Sequence, residues 1–237
     1  MPRRPQAAPA QTDPPVAPAQ TDPPAAALRS TGLMSTASVP TAPGPTDLGQ
    51  TDRVALLRAV NVGGLTLKMD RLRAVAAGLG WEGVRTHIAS GNLLFRAPGT
   101  DAALSAALEA ALLAEVGARV PCLVLTAAAL AARVAGCPFT PTEGKLVHGL
   151  LLFGPITIDE DRLAALRAPS EQLVAGPGVV WLHAPEGFGR SKLAERLEQV
   201  VRGAPFTARN LNTLRALVGL VGGGVEGGAT GGGPPAT

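Results

Sequence analysis

The chain has 237 residues and a formal net charge of +3, and hydrophobic residues make up 46% of it. Lys and Arg form no block, and aromatic residues, at 3%, are too few to favour stacking on bases, so composition gives nucleic acid little support as a partner. No apolar run is long enough for a membrane span, and no apolar signal core follows Arg3 and Arg4. The isolated Cys122 and Cys137 are typical of free thiols in a reducing compartment, so we expect a cytoplasmic protein.

Both ends of the chain are expected to be disordered tails. Residues 1–50 are rich in Pro and Ala and repeat one segment almost unchanged, at 9–15 and again at 18–24. Such a segment has too little apolar surface to fold. Residues 222–237 are rich in Gly and are expected to behave likewise. Met34 offers an alternative translation start that removes the repeat.

Between the tails, hydrophobic periodicity predicts the same order of elements twice. In the first unit, residues 53–136, strands are predicted at 54–60, 84–88, 93–95 and 120–125, and helices at 69–79, 101–116 (capped at Thr100 or Asp101) and 126–135. In the second unit, residues 145–220, strands are predicted at 146–153, 171–175, 179–183 and 206–209, and helices at 159–166, 191–201 and 210–220. The order β-α-β-β-α-β in each unit predicts an α+β protein of two tandem ferredoxin-like units.

The first of several polar motifs follows the first predicted strand and contains Arg58, Asn61, Gly63 and Gly64. Glycines allow backbone N–H groups to face an anion, and a guanidinium binds phosphate or carboxylate through two hydrogen bonds. The alternative is a tight crossover from strand to helix that needs glycine for its backbone conformation.

The second motif, Ser90, Gly91 and Asn92, lies between two predicted strands. It is consistent with a hairpin turn in which Gly91 takes a left-handed conformation and the polar side chains bond the local backbone. It becomes a candidate site if it folds beside Asn61.

The third motif, at 187–192, precedes a predicted helix and includes Ser191 and Lys192. Ser191 is a good helix N-cap, and cations beside unpaired N–H groups suit a phosphate, although the Walker spacing is absent. A capped helix with a solvated basic start is the alternative.

The fourth motif combines Arg209, Asn210, Asn212 and Thr213 between apolar stretches. These side chains could form a cradle for a polar ligand. They could equally form a structural network in which Asn210 caps the last helix and Arg209 holds a neighbouring loop.

In their order along the chain, these motifs resemble a bacterial family known as domain of unknown function 1697. The resemblance covers residues 53–220 and is carried by the segments 56–64, 86–92, 137–139, 191–193 and 208–213. It implies a duplicated ferredoxin-like architecture and no particular activity. The chain departs from the family pattern at Ala59, His87, Ala89 and Leu211, which replace Gly, Tyr, Gln and Trp, so any ligand contact made by that Gln or Trp is missing here.

Amide and guanidinium groups dominate the motifs, whereas acid–base pairs do not, and this favours binding of a small anionic or nucleotide-like ligand. The candidate ligand-binding residues are Arg58, Asn61, Gly63, Gly64, Ser90, Gly91, Asn92, Ser191, Lys192, Arg209, Asn210, Asn212 and Thr213. One alternative is an enzyme acting on a phosphorylated small molecule through Ser90, Ser191 or Lys192, and another is an RNA- or protein-interaction module. His87, His148 and His183 have no ligand spacing, and the sequence predicts no metal, no cofactor and no defined catalytic residue.

Overall fold

The computed structural model describes residues 51–61 and 65–222. The predicted tails, apart from Gly222, and the motif glycines Gly63 and Gly64 lie outside these residues. The elements of the first half are β1 (Thr51–Leu57), α1 (Met69–Gly78), β2 (Glu82–Thr86), β3 (Asn92–Ala97), α2 (Asp101–Val116), β4 (Cys122–Thr126) and α3 (Ala127–Ala135).

The strands of the first half form one antiparallel sheet in the order β2-β3-β1-β4. Side chains alternate between its two faces. One face, which includes Ala55 and Leu57, packs against α1 and α2. The opposite face, which includes Val54 and Leu56, packs towards the second half of the chain.

The second half begins with a short 3₁₀ turn at Gly144–Leu146 and forms a second antiparallel sheet. Its elements are β5 (Val147–Leu152), β6 (Thr157–Ile158), α4 (Glu160–Leu166), β7 (Gln172–Gly176), β8 (Val179–His183), a 3₁₀ turn (Phe188–Arg190), α5 (Lys192–Glu195), α6 (Leu197–Val200), β9 (Val201–Arg202), β10 (Phe206–Asn210) and α7 (Leu211–Gly222). The four longer strands lie in the order β10-β5-β8-β7, and β6 pairs separately with β9.

Both four-stranded sheets place their long strands in the same spatial order, which is fourth, first, third and second in chain order. The core between the sheets contains α3 and α7 with Trp181, which is 1% exposed. A separate core on the far face of the second sheet contains Leu193, Leu197 and Val200 of the short helices. The α+β class and the antiparallel sheets are therefore confirmed.

Several element boundaries differ from the sequence prediction for local reasons. The first strand ends at Leu57 rather than at 60, because Ala59 and Asn61 take positive φ angles of 56° and 59°. The second strand ends at Thr86, because Ile88 has a φ of 52° and is exposed. The helix predicted at 191–201 is two short helices, because the chain leaves helical geometry at Arg196, whose φ is −118°.

The two-residue strands β6 and β9 were absent from the prediction, since two residues carry no periodic signal. Within the described part of the chain, none of the helices has the length and apolar character needed to cross a membrane.

Candidate functional site

Three of the polar motifs meet around the buried guanidinium of Arg209 on β10, which is 8% exposed. Its Nε donates a hydrogen bond to Asn92 Oδ1 at 2.6 Å. Its Nη2 donates to the carbonyls of Leu57 and Ser90 at 2.9 and 2.8 Å. Its Nη2 also donates to the carbonyl of Gly91 at 3.4 Å, and its Nη1 donates to Thr207 Oγ1 and to the carbonyl of Ala208. Arg209 thus joins the second sheet to the end of β1 and to the turn before β3.

Hydrogen bonds within the turn before β3 also hold its conformation. Asn92 is fully buried and donates from Nδ2 to the carbonyl of His87 and to Ser90 Oγ, at 3.0 and 2.9 Å. Gly91 has a φ of 73°, and a Cβ there would lie 2.8 Å from Cβ of Leu57. Only glycine therefore fits this close approach.

The Asn61 side chain closes its own loop. Its Oδ1 accepts from the backbone N–H of Leu67 at 2.9 Å, and its Nδ2 donates to the carbonyls of Leu67 and Ala89 at 3.2 and 2.7 Å. The bond to Ala89 connects this loop to the turn that Arg209 holds. Arg58 points elsewhere and forms an ion pair with Glu198 at the start of α6.

The last motif has a mainly structural arrangement. Asn210 Oδ1 accepts from the N–H of Thr213 at 2.8 Å, so Asn210 caps α7 as the sequence suggested. Asn212 is exposed, and its Oδ1 lies 2.0 Å from the position that a Cβ would take on the buried Gly144. Thr213 is buried, and the end of this motif therefore anchors α7 against the 3₁₀ turn before β5.

The hydrogen bonds described above use most of the polar side-chain groups of the sequence motifs around Arg209. Burial lowers the pKa of Arg209 to about 10, so the guanidinium stays protonated at neutral pH. Its charge is balanced by carbonyl and hydroxyl dipoles, which is the arrangement of a structural cation. Asn92 and Arg209 are interior residues and do not form part of the polar surface expected for them. Their role in binding a ligand stays a prediction that this geometry does not favour.

Ser191 and Lys192 lie away from this cluster, at a cavity of about 390 Å³ between the end of α4 and the start of α5. Ser191 Oγ accepts from the N–H of Ala194 at 2.9 Å, which confirms the N-cap. Lys192 is exposed at the same opening. We call this space, lined by residues 165–168, 170–171, 186–187 and 190–192, the basic cavity.

Three cationic side chains line the basic cavity: Arg167, Arg190 and Lys192. Arg167 Nη1 donates to the carbonyl of Glu171 at 2.9 Å, and Arg190 Nε donates to the carbonyl of Glu186 at 2.6 Å. Across residues 51–61 and 65–222, none of the three cations has a carboxylate within ion-pair distance. Their remaining N–H donors are therefore available at the cavity.

Sequence reasoning missed Arg167 and Glu171 as parts of this site. Glu171 is 5% exposed, and its Oε2 accepts from the N–H of Ala168 at 2.9 Å. Both residues flank the turn between α4 and β7, and they lie some twenty residues before Ser191 in the chain. A local motif carries no information on such a long-range contact.

A second, broader groove of about 940 Å³ runs between α2 with β4 and the loops at one end of the second sheet. Among the described residues that line it, the carboxylates of Asp101 and Glu109 lie beside one cation, Arg133. Glu109 Oε1 accepts from the backbone N–H of Cys122 at 2.8 Å, so part of this acidic charge is already used on β4. The groove is thus less suited to an anion than the basic cavity.

Two of the three histidines pack against aromatic rings. His148 stacks on Phe188 with ring centroids 3.9 Å apart, and burial lowers its pKa to about 4. His183 packs against Phe139. In the part of the chain that the structure describes, no three His, Cys, Asp or Glu side chains are grouped so that they could hold a metal ion.

Fold and site together define an α+β protein with two antiparallel sheets, a buried structural arginine and a separate basic cavity. The model of the family described as "Protein of unknown function (DUF1697)" matches residues 51–181, and the chain belongs to this family. Its fold is similar to the structure of the conserved bacterial protein SP0830 from Streptococcus pneumoniae, with a TM-score of 0.58 at 23% identity over 73% of this chain and 99% of that one. A comparison with curated proteins finds no match.

Proposed function

We propose that this protein binds a small anion, a phosphate or carboxylate group of a small molecule, in the basic cavity. The observation that carries the proposal is the convergence of Arg167, Arg190 and Lys192 on one cavity, where none of them pairs with a carboxylate of the described residues. Guanidinium groups with free N–H donors match the geometry of such oxyanions. The Ser191 hydroxyl, which accepts from Ala194, keeps its proton available as a further donor.

The lining of the cavity also narrows the kind of ligand. The described residues around it include no aromatic side chain, so it offers no surface on which a nucleobase could stack. Glu171 and Glu186 border the same space. Against three cations, these two carboxylates leave a small positive excess, which suits a ligand carrying one or two negative charges.

Isothermal titration of the full chain with inorganic phosphate tests this proposal. The double variant Arg190→Ala/Lys192→Ala removes two cations of the basic cavity, and we expect phosphate affinity to fall about tenfold or more. Arg119→Ala is the matched control, because it removes an exposed cation on the loop before β4. Unchanged binding in the double variant, or an equal loss in the control, would contradict the proposal.

A second candidate function is an enzyme acting on a phosphorylated small molecule. It is favoured by Glu171, a buried carboxylate on the same cavity as Ser191 and Lys192, because a carboxylate that borders the same space as a hydroxyl can serve as a general base. Hydrolysis of p-nitrophenyl phosphate by the full chain is the assay. Turnover that Glu171→Gln abolishes while phosphate still binds would support the enzyme, and no turnover would leave a binding protein.

We also propose that residues 53–136 and 145–220 are two tandem ferredoxin-like units. The common order of the long strands and the antiparallel pairing of all neighbours support this assignment. Cys122 and Cys137 are both free thiols, which supports the expected cytoplasmic location.

A further inference from the structure

Glu171 differs from the other buried charged residues in how its charge is balanced. Among the described residues, the buried charged side chains are those of Arg53, Glu171 and Arg209. Arg53 forms an ion pair with Asp101, and the guanidinium of Arg209 donates to a series of carbonyl, amide and hydroxyl oxygens. The carboxylate of Glu171 accepts one hydrogen bond from the described residues, donated by the N–H of Ala168.

This hydrogen bond accounts for the loop between α4 and β7 but not for the charge. Glu171 Oε2 accepts from the N–H of Ala168 at 2.9 Å, and Arg167 Nη1 donates to the backbone carbonyl of Glu171 across the same loop. The amide oxygen of a glutamine would accept from Ala168 equally well. The conformation of the loop therefore does not require a negative charge at residue 171.

The second carboxylate oxygen of Glu171 is open to the basic cavity. Oε1 accepts no hydrogen bond from the described residues, and it is not one of their unpartnered polar atoms that are sealed from solvent. Glu171 lines the basic cavity and is otherwise buried, so solvent reaches Oε1 through that cavity. Within residues 51–61 and 65–222, no cation lies at ion-pair distance from this carboxylate.

We infer that the ligand of the basic cavity carries an ammonium group, and that Glu171 accepts a hydrogen bond from it. This inference rests on the proposed function, in which the three cations of the cavity bind the phosphate or carboxylate group of the same molecule. A largely desolvated carboxylate is stabilised most by a cation that also donates hydrogen bonds to it. The substrate class is therefore a zwitterion, a primary amine that carries a phosphate or a carboxylate.

The size and the mixed charge of the cavity fit such a molecule. Its volume of about 390 Å³ is near the lower end of the range for small-molecule sites. A plain anion would pair with the cations, but it would also bring like charge towards Glu171, and that repulsion weakens binding. An ammonium group on the ligand replaces this repulsion by an attraction. The lining thus discriminates a zwitterion from an anion of the same size.

Isothermal titration of the full chain with two matched pairs of compounds tests this inference. O-phosphoethanolamine and ethyl phosphate differ in one ammonium group. The compounds β-alanine and propionate differ in the same way and carry a carboxylate instead of a phosphate. In each pair that binds, we expect the amine to bind about tenfold or more tightly than its partner compound.

Substitution of Glu171 assigns this preference to one carboxylate. Glu171→Gln keeps an acceptor for the N–H of Ala168 and removes the charge, so the preference for the amine should disappear. Glu195→Gln is the matched control, because it removes an exposed carboxylate of α5 that does not line the basic cavity, and the preference should persist. The fluorescence of the buried Trp181 checks that each variant is folded.

A measurement on the unsubstituted chain decides the test if Glu171→Gln does not fold. The side-chain carboxyl ¹³C signal of Glu171 should then move more with the amine than with its partner compound. Equal affinities within each pair overturn the inference and leave the proposed function standing. A preference that Glu171→Gln retains, or that Glu195→Gln loses equally, overturns it as well. If none of the four compounds binds, the proposed function fails and the inference fails with it.

Discussion

Replacing Arg209 by Ala should destabilise the protein strongly, because this side chain joins the two sheets. The loss leaves Asn92 Oδ1, which is fully buried, and the carbonyls of Ser90 and Ala208 without this donor. The carbonyl of Leu57 still accepts from Thr207 Oγ1 at 3.1 Å. Three acceptors lose this donor at about 1–3 kcal/mol each. Water entering the site offsets part of that cost, so we expect a loss of about 3 kcal/mol in the free energy of unfolding.

Equilibrium denaturation in urea, followed by the fluorescence of Trp81 and Trp181, measures this loss. Trp81 lies in the core on the outer face of the first sheet and Trp181 in the core between the two sheets, so their signals also report whether both cores unfold together. Arg58→Ala is the control, because its ion pair with Glu198 is exposed and contributes less than about 1 kcal/mol. If Arg209→Ala destabilises no more than Arg58→Ala, Arg209 is not a structural tie.

Three further substitutions, at Gly91, Gly144 and His148, test other parts of the fold. Gly91→Ala should lower the free energy of unfolding by about 2–3 kcal/mol, because an added Cβ would lie 2.8 Å from Cβ of Leu57 and the backbone φ is 73°. A loss under about 1 kcal/mol, measured by urea denaturation, would contradict this. Gly144→Ala should lower the free energy of unfolding by about 1–2 kcal/mol, because its Cβ clashes with the Asn212 side chain, and the double variant with Asn212→Ala should regain most of that loss. Additive effects of the two substitutions in a double-mutant cycle would refute the clash. Because burial lowers the pKa of His148 to about 4, its contribution to the free energy of unfolding should be fully present above pH about 6.5. The free energy of unfolding should then fall by at most about 3 kcal/mol as the pH drops towards 4, and this dependence on pH should be weaker in His148→Phe.

Local features of the fold could be predicted from the sequence because local rules determine them. The caps at Asn210 and Ser191 follow from a polar side chain placed before a helical pattern, and both are confirmed. The break at Arg196 could not be predicted, because the apolar spacing of Leu193, Leu197 and Val200 continues through it. In that segment, packing against the second sheet overrides a pattern that suits one continuous helix.

The limit of prediction from sequence is clearer at the candidate site. The sequence identified Arg209, Ser90 and Asn92 as unusual, and they do meet in space. Whether they meet as a ligand surface or as an internal tie depends on burial, which one-dimensional spacing does not report. Arg167 comes to Ser191 only through the path of β7 and β8, so no local motif could include it.

The most direct test of the proposed function is a chemical-shift titration of the isotope-labelled full chain with inorganic phosphate. Phosphate is expected to move backbone amide signals within the segments 165–168, 170–171, 186–187 and 190–192, which line the basic cavity. The amides around Arg209 and Asn92 should stay in place. Shifts confined to that buried cluster, or no saturable shift at 165–171 and 186–192, would contradict the assignment of the ligand to the basic cavity.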